Sequence, residues 1–313
     1  MPSPKQAALH SAVHEGDAVK CLLVAVILVM AGCASTPASP PARAIGSDIV
    51  PLNHLPSLKG DYLKLESNQV GRAYHVYVRL PEGYDPSSVK RYPVVYLLDG
   101  DSLFPMLAPQ HLFLTYDEKL PEAVIVGIAY GGFDPSINKR DIDFNPPAVD
   151  GKPGQDGAPR FLRFLETELL PTIESRYRID PTRRILAGQS RSGYFVLWSA
   201  MEAPDLFWGR IASNPATTPG RDRFFAPAAA HARGDLHLAV AIGEREPEFR
   251  QTFVREWGDA WQSRRDAPWA LKRLVIANGT HAASVGETYR QAMLWLFDDE
   301  VQAAKQEAAA GDH

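Results

Sequence analysis

The chain contains several short segments that are apolar almost without interruption, and segments of helical character separate them. Residues 92–100 (YPVVYLLDG) and 122–132 (EAVIVGIAYGG) are two examples. A strand that is apolar on both faces is typical of the interior of a parallel sheet, where helices cover both sides. This alternation constrains the fold more than any other feature. It predicts an α/β fold with a mostly parallel central sheet and helices on both faces.

The same alternation continues toward the C-terminal end. Residues 72–81 alternate polar and apolar side chains, as a strand with one solvated face does. Further strands are predicted within residues 183–190, 208–216, 235–244 and 271–281. Helices are predicted over residues 159–177, 191–201, 252–264 and 284–297. In sheets of this kind, sites form beyond the carboxyl ends of the strands, so the polar residues there are the first candidates for function.

Composition excludes several classes of function. The 313 residues can bury a substantial core, and 45% hydrophobic with 22% charged residues is typical of a globular protein. A net charge of −4 gives no basic footprint for nucleic acid. The two cysteines, Cys21 and Cys33, both lie near the N-terminus, so the rest of the chain has no disulfide and no thiol nucleophile. No Cys and His cluster indicates a metal, and we expect no cofactor.

The N-terminal segment has the pattern of an export signal. Lys20 precedes an apolar run, Cys21–Gly32, of signal-peptide length. The run ends in Met-Ala-Gly-Cys, which resembles a bacterial lipobox, although leucine is commoner than Met30. We therefore expect a lipid on Cys33 and a protein anchored to the membrane on the periplasmic side of the cell envelope. A plain cleaved signal peptide, a short membrane anchor and a translation start near Val19 stay open.

Four regions follow from these patterns. Residues 1–32 are predicted to be a lipoprotein-type signal peptide, and residues 33–58, rich in Pro, Ala and Ser, a flexible tether. Residues 59–300 are predicted to form the folded domain, with a polar C-terminal tail over 301–313.

A serine flanked by small residues follows the strand predicted within 183–190. A serine on a sharp strand-to-helix turn projects its hydroxyl clear of the sheet, and the tight turn needs small neighbours, as in G-x-S-x-G. Here Gly188 and Ser190 fit the motif, but Ser192 occupies the position of its second glycine. We interpret Ser190 as a nucleophile and expect Ser192 to pack against the sheet. The alternative is a helix start that is merely rich in small residues.

Two further residues complete a candidate triad. His281 follows the last predicted strand, where a neutral imidazole can accept the serine proton and return it to the leaving group. If the order is Ser, acid, His, the acid lies between them, and one strand end there offers Glu244, Glu246 and Glu248. We favour Glu246. The other two glutamates, Asp259 and a Ser–His dyad without an acid remain alternatives.

An oxyanion hole needs two backbone N–H donors. One is expected from Arg191, directly after the nucleophile, and the other from Asp101, after the strand at residues 92–100. Gly100 lets the backbone turn between that strand and the donor.

Together these stretches resemble the "Putative esterase" family of α/β-hydrolases. The resemblance extends over about residues 60–298 and includes the branch with periplasmic siderophore esterases, beside feruloyl esterases, S-formylglutathione hydrolases and mycolyltransferases. The stretches that carry it are YHVYVRLPEGYDP (74–86), YPVVYLLDGDSLF (92–104), RDIDFNPP (140–147), LAGQSRSGYF (186–195) and GTHAASVGETYRQAMLWLF (279–297). Two residues depart from the family pattern: Gln189 replaces its usual histidine, and Ser192 its glycine.

The resemblance implies an α/β-hydrolase fold and an exported serine esterase with Ser190, Glu246 and His281 as its triad. Its substrates would be small-molecule carboxylic esters, such as siderophore trilactones or aromatic acyl esters. An acyltransferase of the same fold is the alternative reaction, and a non-catalytic binding protein the alternative class. The sequence favours no particular oligomeric state.

Overall fold

A computed structural model of the chain describes residues 55–147, 156–218 and 220–311. The predicted signal peptide, Cys33 and most of the predicted tether lie outside the described residues. Within them, one eight-stranded sheet has the order β1-β2-β4-β3-β5-β6-β7-β8. The strands are β1 (Gly60–Ser67), β2 (Arg72–Arg79), β3 (Tyr92–Leu97), β4 (Val124–Ala129), β5 (Ile179–Gln189), β6 (Gly209–Ser213), β7 (Leu236–Gly243) and β8 (Trp269–Ile276).

The sheet is mostly parallel, as the sequence predicts. β2 pairs in antiparallel fashion with both β1 and β4, and the pairs formed among β3 to β8 are all parallel. The edge strand β1 is not among the predicted strands, because most of its side chains are exposed and it lacks the apolar run of an interior strand. Consecutive parallel strands place the loops after β3, β5, β7 and β8 at one edge of the sheet.

Helices cover both faces, which confirms the predicted layering. They are α1 (Gly100–Asp117), α2 (Arg140–Asp143), α3 (Ala158–Phe164), α4 (Leu170–Arg176), α5 (Arg191–Glu202), α6 (Glu248–Gln262), α7 (Val285–Leu296) and α8 (Asp298–Gly311). A short π-helical segment, Leu165–Leu169, joins α3 to α4. Helices α3 to α6 pack on one face of the sheet, and α1, α7 and the start of α8 on the other.

Strand β3 shows why its sequence is apolar at every position. Val94 and Tyr96 belong to the core on one face, whereas Val95 and Leu97 belong to the core on the other. All four side chains are fully buried. Two-sided burial therefore removes the polar–apolar alternation that a strand with one solvated face would show.

The predicted polar tail from residue 301 begins inside a helix. Residues 298–311 form α8, and Val301 is only 2% exposed, in the same core as Phe297. These two side chains are one helical turn apart, so they anchor the first turn of α8 on the domain. The predicted boundary at residue 300 consequently divides a helix that packs on the core. Among the helices of the described ranges, none is both long enough and apolar enough to cross a membrane.

Candidate active site

Ser190 occupies a strained turn between strand β5 and helix α5. β5 ends at Gln189, α5 begins at Arg191, and Ser190 between them has φ of 60° and ψ of −113°. A positive φ is uncommon for a residue with a side chain and persists only where the surroundings impose it. Here the Ser190 N–H donates to the Ser213 carbonyl (2.9 Å), and the Ser190 carbonyl accepts from the Ala216 N–H (2.9 Å). The end of β6 and the loop after it thus hold the turn in place.

The turn is too tight for a side chain at Gly188. A Cβ atom there would lie 2.7 Å from the backbone carbonyl group of Ser192, because α5 leaves so close to β5. Ser192 itself is fully buried. Its hydroxyl donates to Asp99 Oδ2 (2.6 Å) and accepts from the Gln189 N–H (2.8 Å). Ser192 is therefore held against the sheet, as predicted, and Ser190 alone of the two faces the cleft.

The three predicted triad residues form one chain of hydrogen bonds. His281 Nε2 lies 2.9 Å from Ser190 Oγ. On its other side, His281 Nδ1 is hydrogen-bonded to Glu246 Oε1, and Glu246 is only 5% exposed. An imidazole between a hydroxyl and a buried carboxylate is the arrangement in which a serine can lose its proton to a histidine.

The other candidate acids point elsewhere. Glu244 is exposed and accepts the Asn278 N–H (2.7 Å). Glu248 is exposed in the first turn of α6 and faces Arg255 at 3.7 Å. Asp259, lower on the same helix, pairs with Arg273 at 2.6 Å. Of these four carboxylates, Glu246 is the one in contact with His281.

Two amide side chains fix the loop that carries His281. The His281 carbonyl accepts hydrogen bonds from Gln189 Nε2 and from Asn214 Nδ2, the second at 2.9 Å. Asn214 is fully buried, donates also to Ser284 Oγ (2.6 Å) and accepts from the Gly243 N–H (2.7 Å). Gln189, which departs from the family pattern, thus links the serine turn to the histidine loop. No sequence pattern marks Asn214, which directly follows β6.

An ion pair lies directly behind the serine turn. Arg140 Nε and Nη2 each donate to one carboxylate oxygen of Asp99, both at 2.9 Å. Burial by itself lowers the pKa of Arg140, but hydrogen bonds and charge from Asp99 outweigh it, so the pKa lies above its usual value. Asp99 also accepts from Ser192, so one carboxylate joins the loop after β3, the segment at α2 and the first turn of α5.

The two predicted oxyanion donors lie in the first turns of helices. Asp101 is in the first turn of α1 and Arg191 in that of α5, where backbone N–H groups have no acceptor within their own helix. The positive ends of both helices favour negative charge there. Gly100 permits the close packing of α1, because a Cβ atom on it would meet the backbone of β4 at 2.7 Å. The Asp101 carboxylate accepts the N–H groups of Tyr130 (2.7 Å) and Gly131 (2.8 Å).

The triad opens into a cleft of about 350 Å³, which we call the catalytic cleft. Its lining includes Asp101, Ser102, Phe133, Arg140, Ser190 and His281. A larger cavity, of about 550 Å³, lies between α6 and β8 and contains none of the triad residues. Size alone would select the larger cavity, whereas the chemistry of the lining favours the catalytic cleft as the candidate site.

Comparison with known proteins agrees with this architecture. Residues 67–311 match the model of the family described as "Putative esterase". The chain belongs to this family. The ferri-bacillibactin esterase BesA of Bacillus subtilis is 34% identical over 168 residues, which cover 49% of this chain and 56% of that protein. The apo-salmochelin esterase of Escherichia coli is 32% identical over 161 residues, which cover 48% of this chain and 49% of that protein. The chain thus matches about half the length of these relatives.

Solved structures of a serine hydrolase and of a siderophore hydrolase share the fold. An IroE-like serine hydrolase from Shewanella oneidensis is 26% identical with a TM-score of 0.62, over 76% of this chain and 81% of that one. The siderophore hydrolase EstB from Aspergillus nidulans has a TM-score of 0.65 at 19% identity, over 76% of this chain and 94% of that one. The domain therefore has the α/β-hydrolase fold that the resemblance implies.

Proposed function

We propose that this chain is a serine esterase that hydrolyses carboxylic esters with Ser190 as nucleophile, His281 as base and Glu246 as acid. The observation that carries the proposal is the hydrogen-bonded chain Glu246–His281–Ser190 at a strained strand-to-helix turn. A binding protein of the same fold would have no use for a positive φ at a serine whose hydroxyl faces a histidine.

In the first half of the reaction, the Ser190 hydroxyl attacks the carbonyl carbon of the ester while its proton passes to His281 Nε2. The carbonyl oxygen becomes an oxyanion, and the backbone N–H groups of Asp101 and Arg191 donate hydrogen bonds to it. The buried carboxylate of Glu246 stabilises the imidazolium. The carbon–oxygen bond to the alcohol then breaks, and His281 gives its proton to the departing alcohol.

In the second half, water replaces the alcohol. His281 removes a proton from the water as it attacks the acyl-serine, and the oxyanion forms again in the same place. The bond from the carbonyl carbon to Ser190 breaks, His281 returns the proton to Ser190, and the carboxylic acid leaves. Each proton that His281 accepts is returned within one cycle, so the enzyme ends as it began.

Siderophore esters are the substrate class that we propose. The support is the family membership together with relatives that are named for ferri-bacillibactin, salmochelin and triacetylfusarinine C. The catalytic cleft is open at one edge of the sheet and is suited to a small-molecule ester.

We also propose that the enzyme is exported and lipid-anchored on the periplasmic side of the cell envelope. The support is the apolar run Cys21–Gly32 followed by Cys33. A siderophore esterase outside the cytoplasm would meet its substrate where the substrate enters the cell.

Steady-state hydrolysis by triad variants tests the reaction. Ser190→Ala and His281→Ala should each lower kcat/KM by about a thousandfold or more, and the double variant should be little worse, because the two residues act as a unit. Glu246→Gln should lower kcat/KM less, since it leaves the nucleophile and the base in place. Glu244→Gln is the matched control and should change kcat/KM only slightly. If Glu246→Gln leaves kcat/KM unchanged while Glu244→Gln lowers it severely, Glu244 is the carboxylate that supports His281. Full activity in Ser190→Ala would refute the proposal.

A further inference from the structure

Helix α1 has an unusual composition for a helix at the surface. Residues 102–116 contain no Asp, Glu, Lys or Arg, and His111 among them is fully buried. A helix with one solvated side normally carries charged residues there, as α6 does at Arg255, Glu256 and Asp259, which are all exposed. A helix that is apolar on all sides is normally covered on all sides. α1 nevertheless leaves part of its surface exposed, so its composition indicates a further covering surface.

The exposed side of α1 presents three large side chains, which we call the α1 stripe. They are Met106, Phe113 and Tyr116, and their exposed fractions are 50%, 59% and 50%. Helix positions three and seven apart lie on the same side, so the three side chains form one surface. The Tyr116 hydroxyl donates a hydrogen bond to Glu82, and the ring stays exposed.

Further exposed hydrophobic residues lie beside the α1 stripe. Tyr62 packs on Tyr77, which stacks on Phe104 of α1, and Phe133 lines a small cleft together with Phe104. Single exposed hydrophobic residues are common, whereas a cluster of them marks an interaction surface. Of the ten large hydrophobic side chains exposed in the described part of the chain, six lie on α1 or beside it: Leu55, Tyr62, Met106, Phe113, Tyr116 and Phe133.

The predicted tether joins the domain at this surface. The described residues begin at Leu55, and the segment Pro56–Leu58 that follows contacts α1. Residues 34–54 separate Leu55 from Cys33, the proposed lipid site. A flexible chain of this length spans about 25 Å on average and at most about 75 Å. A tether of this kind gives an effective concentration in the millimolar range, so weak contacts between the domain and the membrane become populated.

We infer that the α1 stripe docks on the surface of the lipid bilayer in which Cys33 is anchored. Met106, Phe113 and Tyr116 enter the boundary between headgroups and acyl chains, and α1 lies along the membrane. A ring with one polar tip, such as that of Tyr116, is suited to this boundary. Because residues 102–116 carry no acidic or basic side chain except the buried His111, the contact is apolar and requires no particular headgroup. The inference rests on the proposed lipid anchor and goes beyond the esterase reaction.

Docking gives the catalytic cleft a fixed place relative to the membrane. Asp101, in the first turn of α1, lines this cleft, and so does Phe133. A domain that lies on α1 therefore holds this rim of the cleft near the bilayer surface. Esters that partition into the membrane surface then reach Ser190 over a short distance. Three side chains are too few to replace an anchor, so the stripe orients the domain and the lipid on Cys33 retains it.

Fluorescence quenching in vesicles measures the orientation. In the lipid-anchored protein the signal peptide with Cys21 is removed and Cys33 carries the lipid, so one introduced cysteine takes the fluorophore. Asp117→Cys places the fluorophore at the end of the α1 stripe, and Ser263→Cys places it at the end of α6, on the opposite face of the sheet. In phosphatidylcholine vesicles with nitroxide-labelled headgroups, the fluorophore at position 117 should be quenched severalfold more than that at 263. Equal quenching would overturn the inference.

A substitution in the α1 stripe assigns the orientation to it. Phe113→Ser should lower the ratio of docked to free domain about tenfold, because the ring no longer enters the bilayer. The matched control is Phe249→Ser, since Phe249 is 61% exposed on α6, and it should leave the quenching at position 117 unchanged. Urea unfolding of each variant is the control for folding. Unchanged quenching in a folded Phe113→Ser would overturn the inference.

Salt separates an apolar contact from a charged one. About 0.5 M NaCl screens interactions between exposed charges and leaves apolar contacts in place, so the quenching at position 117 should persist. Quenching that disappears in salt would assign the contact to charged residues and overturn the inference. A dimer in detergent that Phe113→Ser dissociates would assign the α1 stripe to a second copy of the chain, with the same consequence.

Two outcomes separate the docking surface from the proposals on which it rests. A wild type that does not stay with the vesicles refutes the lipid anchor, and the inference fails with it. A wild type that stays with the vesicles and shows equal quenching at positions 117 and 263 overturns the docking alone. Ester hydrolysis measured in detergent does not involve the α1 stripe, so a failure of the proposed esterase reaction is recognised independently.

Discussion

At the scale of single residues, the site depends on polar side chains that bridge separate loops. The His281 carbonyl is held by one amide from the serine turn, Gln189, and by another from the loop after β6, Asn214. Both donors act on the residue whose imidazole contacts Ser190. The position of this imidazole therefore depends on two side chains that bind the backbone of its loop.

A double-mutant cycle tests this joint support. Gln189→Ala and Asn214→Ala should each lower kcat several-fold, because the remaining amide still holds the His281 carbonyl. The double variant should lose more than the product of the two single losses, by about 1 kcal/mol of coupling or more. Turnover of methyl butanoate is the measurement, with urea unfolding of each variant as the control for folding.

Additive losses in the cycle would contradict the account, because they would mean that the two amides do not share one task. Asn214→Ala should also reduce the free energy of unfolding by about 1–3 kcal/mol, since it leaves the buried Gly243 N–H without its acceptor.

At the scale of elements, helix α5 is fixed at both ends. Its N-terminal end follows Ser190, whose backbone is hydrogen-bonded to the end of β6 and to the loop after it. At its C-terminal end, the fully buried Arg210 of β6 donates to carbonyl groups at and beyond the last turn, including Ala203 (2.6 Å) and Pro204 (2.9 Å). Burial lowers the pKa of Arg210 to about 9, which still leaves it charged at neutral pH. A cation at the negative end of a helix is favourable.

Helices α1 and α7 are joined by a buried histidine. His111 Nδ1 lies 2.9 Å from the Tyr289 hydroxyl, and His111 Nε2 lies 3.1 Å from the Pro121 carbonyl. Both contacts are satisfied by a neutral ring in which Nε2 donates and Nδ1 accepts. Burial, followed by the charge of Arg79, lowers the pKa of His111 to about 3.

This histidine predicts a loss of stability in mild acid. The unfolded chain binds a proton on His111 below about pH 6.5, whereas the folded protein binds it only near pH 3, so stability is lost as pH falls between these values. From pH 7 to pH 5 the contribution amounts to about 2 kcal/mol. Urea unfolding at both pH values should show that the free energy of unfolding falls less in His111→Gln than in the wild type, by about this amount. An identical decline in the variant would show that His111 is protonated in the folded state.

At the scale of the whole molecule, the parallel sheet brings together groups that are far apart in the sequence. The loops after β3, β5, β7 and β8 supply Asp101, Ser190, Glu246 and His281 to one edge. The sequence allowed this to be predicted, because each of these residues follows an apolar run that marks the end of a strand. Strand order and residue type together were enough to select the three residues that hydrogen bonds join, Ser190, His281 and Glu246.

Other parts of the site could not be predicted, because they depend on contacts between loops. The bonds from Asn214 to His281 and from Ser192 to Asp99 join residues 67 and 93 positions apart, and no local pattern marks either pair. The edge strand β1 and the packed start of α8 were missed for a related reason. Their side chains are mainly polar, and burial of a few of them, such as Val301, is decided only by tertiary packing.

The proposed lipid anchor predicts where the whole protein is found. Acyl chains on Cys33 would add membrane affinity of about 0.8 kcal/mol per buried CH₂ group, so the wild type should sediment with membranes. Cys33→Ser should move the protein to the soluble fraction. Cys21→Ser is the matched control, because Cys21 lies inside the apolar run, and it should leave the protein with the membranes. A soluble wild type that begins at Ala34 or later would contradict the lipid anchor.

The measurement that tests the central claim most directly is labelling with a fluorophosphonate probe, followed by mass spectrometry of the peptides. The claim is that Ser190 is an activated nucleophile, so the adduct should lie on Ser190 in the wild type and be absent from Ser190→Ala. Ser192→Ala should still be labelled at Ser190, because the Ser192 hydroxyl is buried against Asp99. An adduct on Ser192, or no adduct on the folded wild type, would contradict the account.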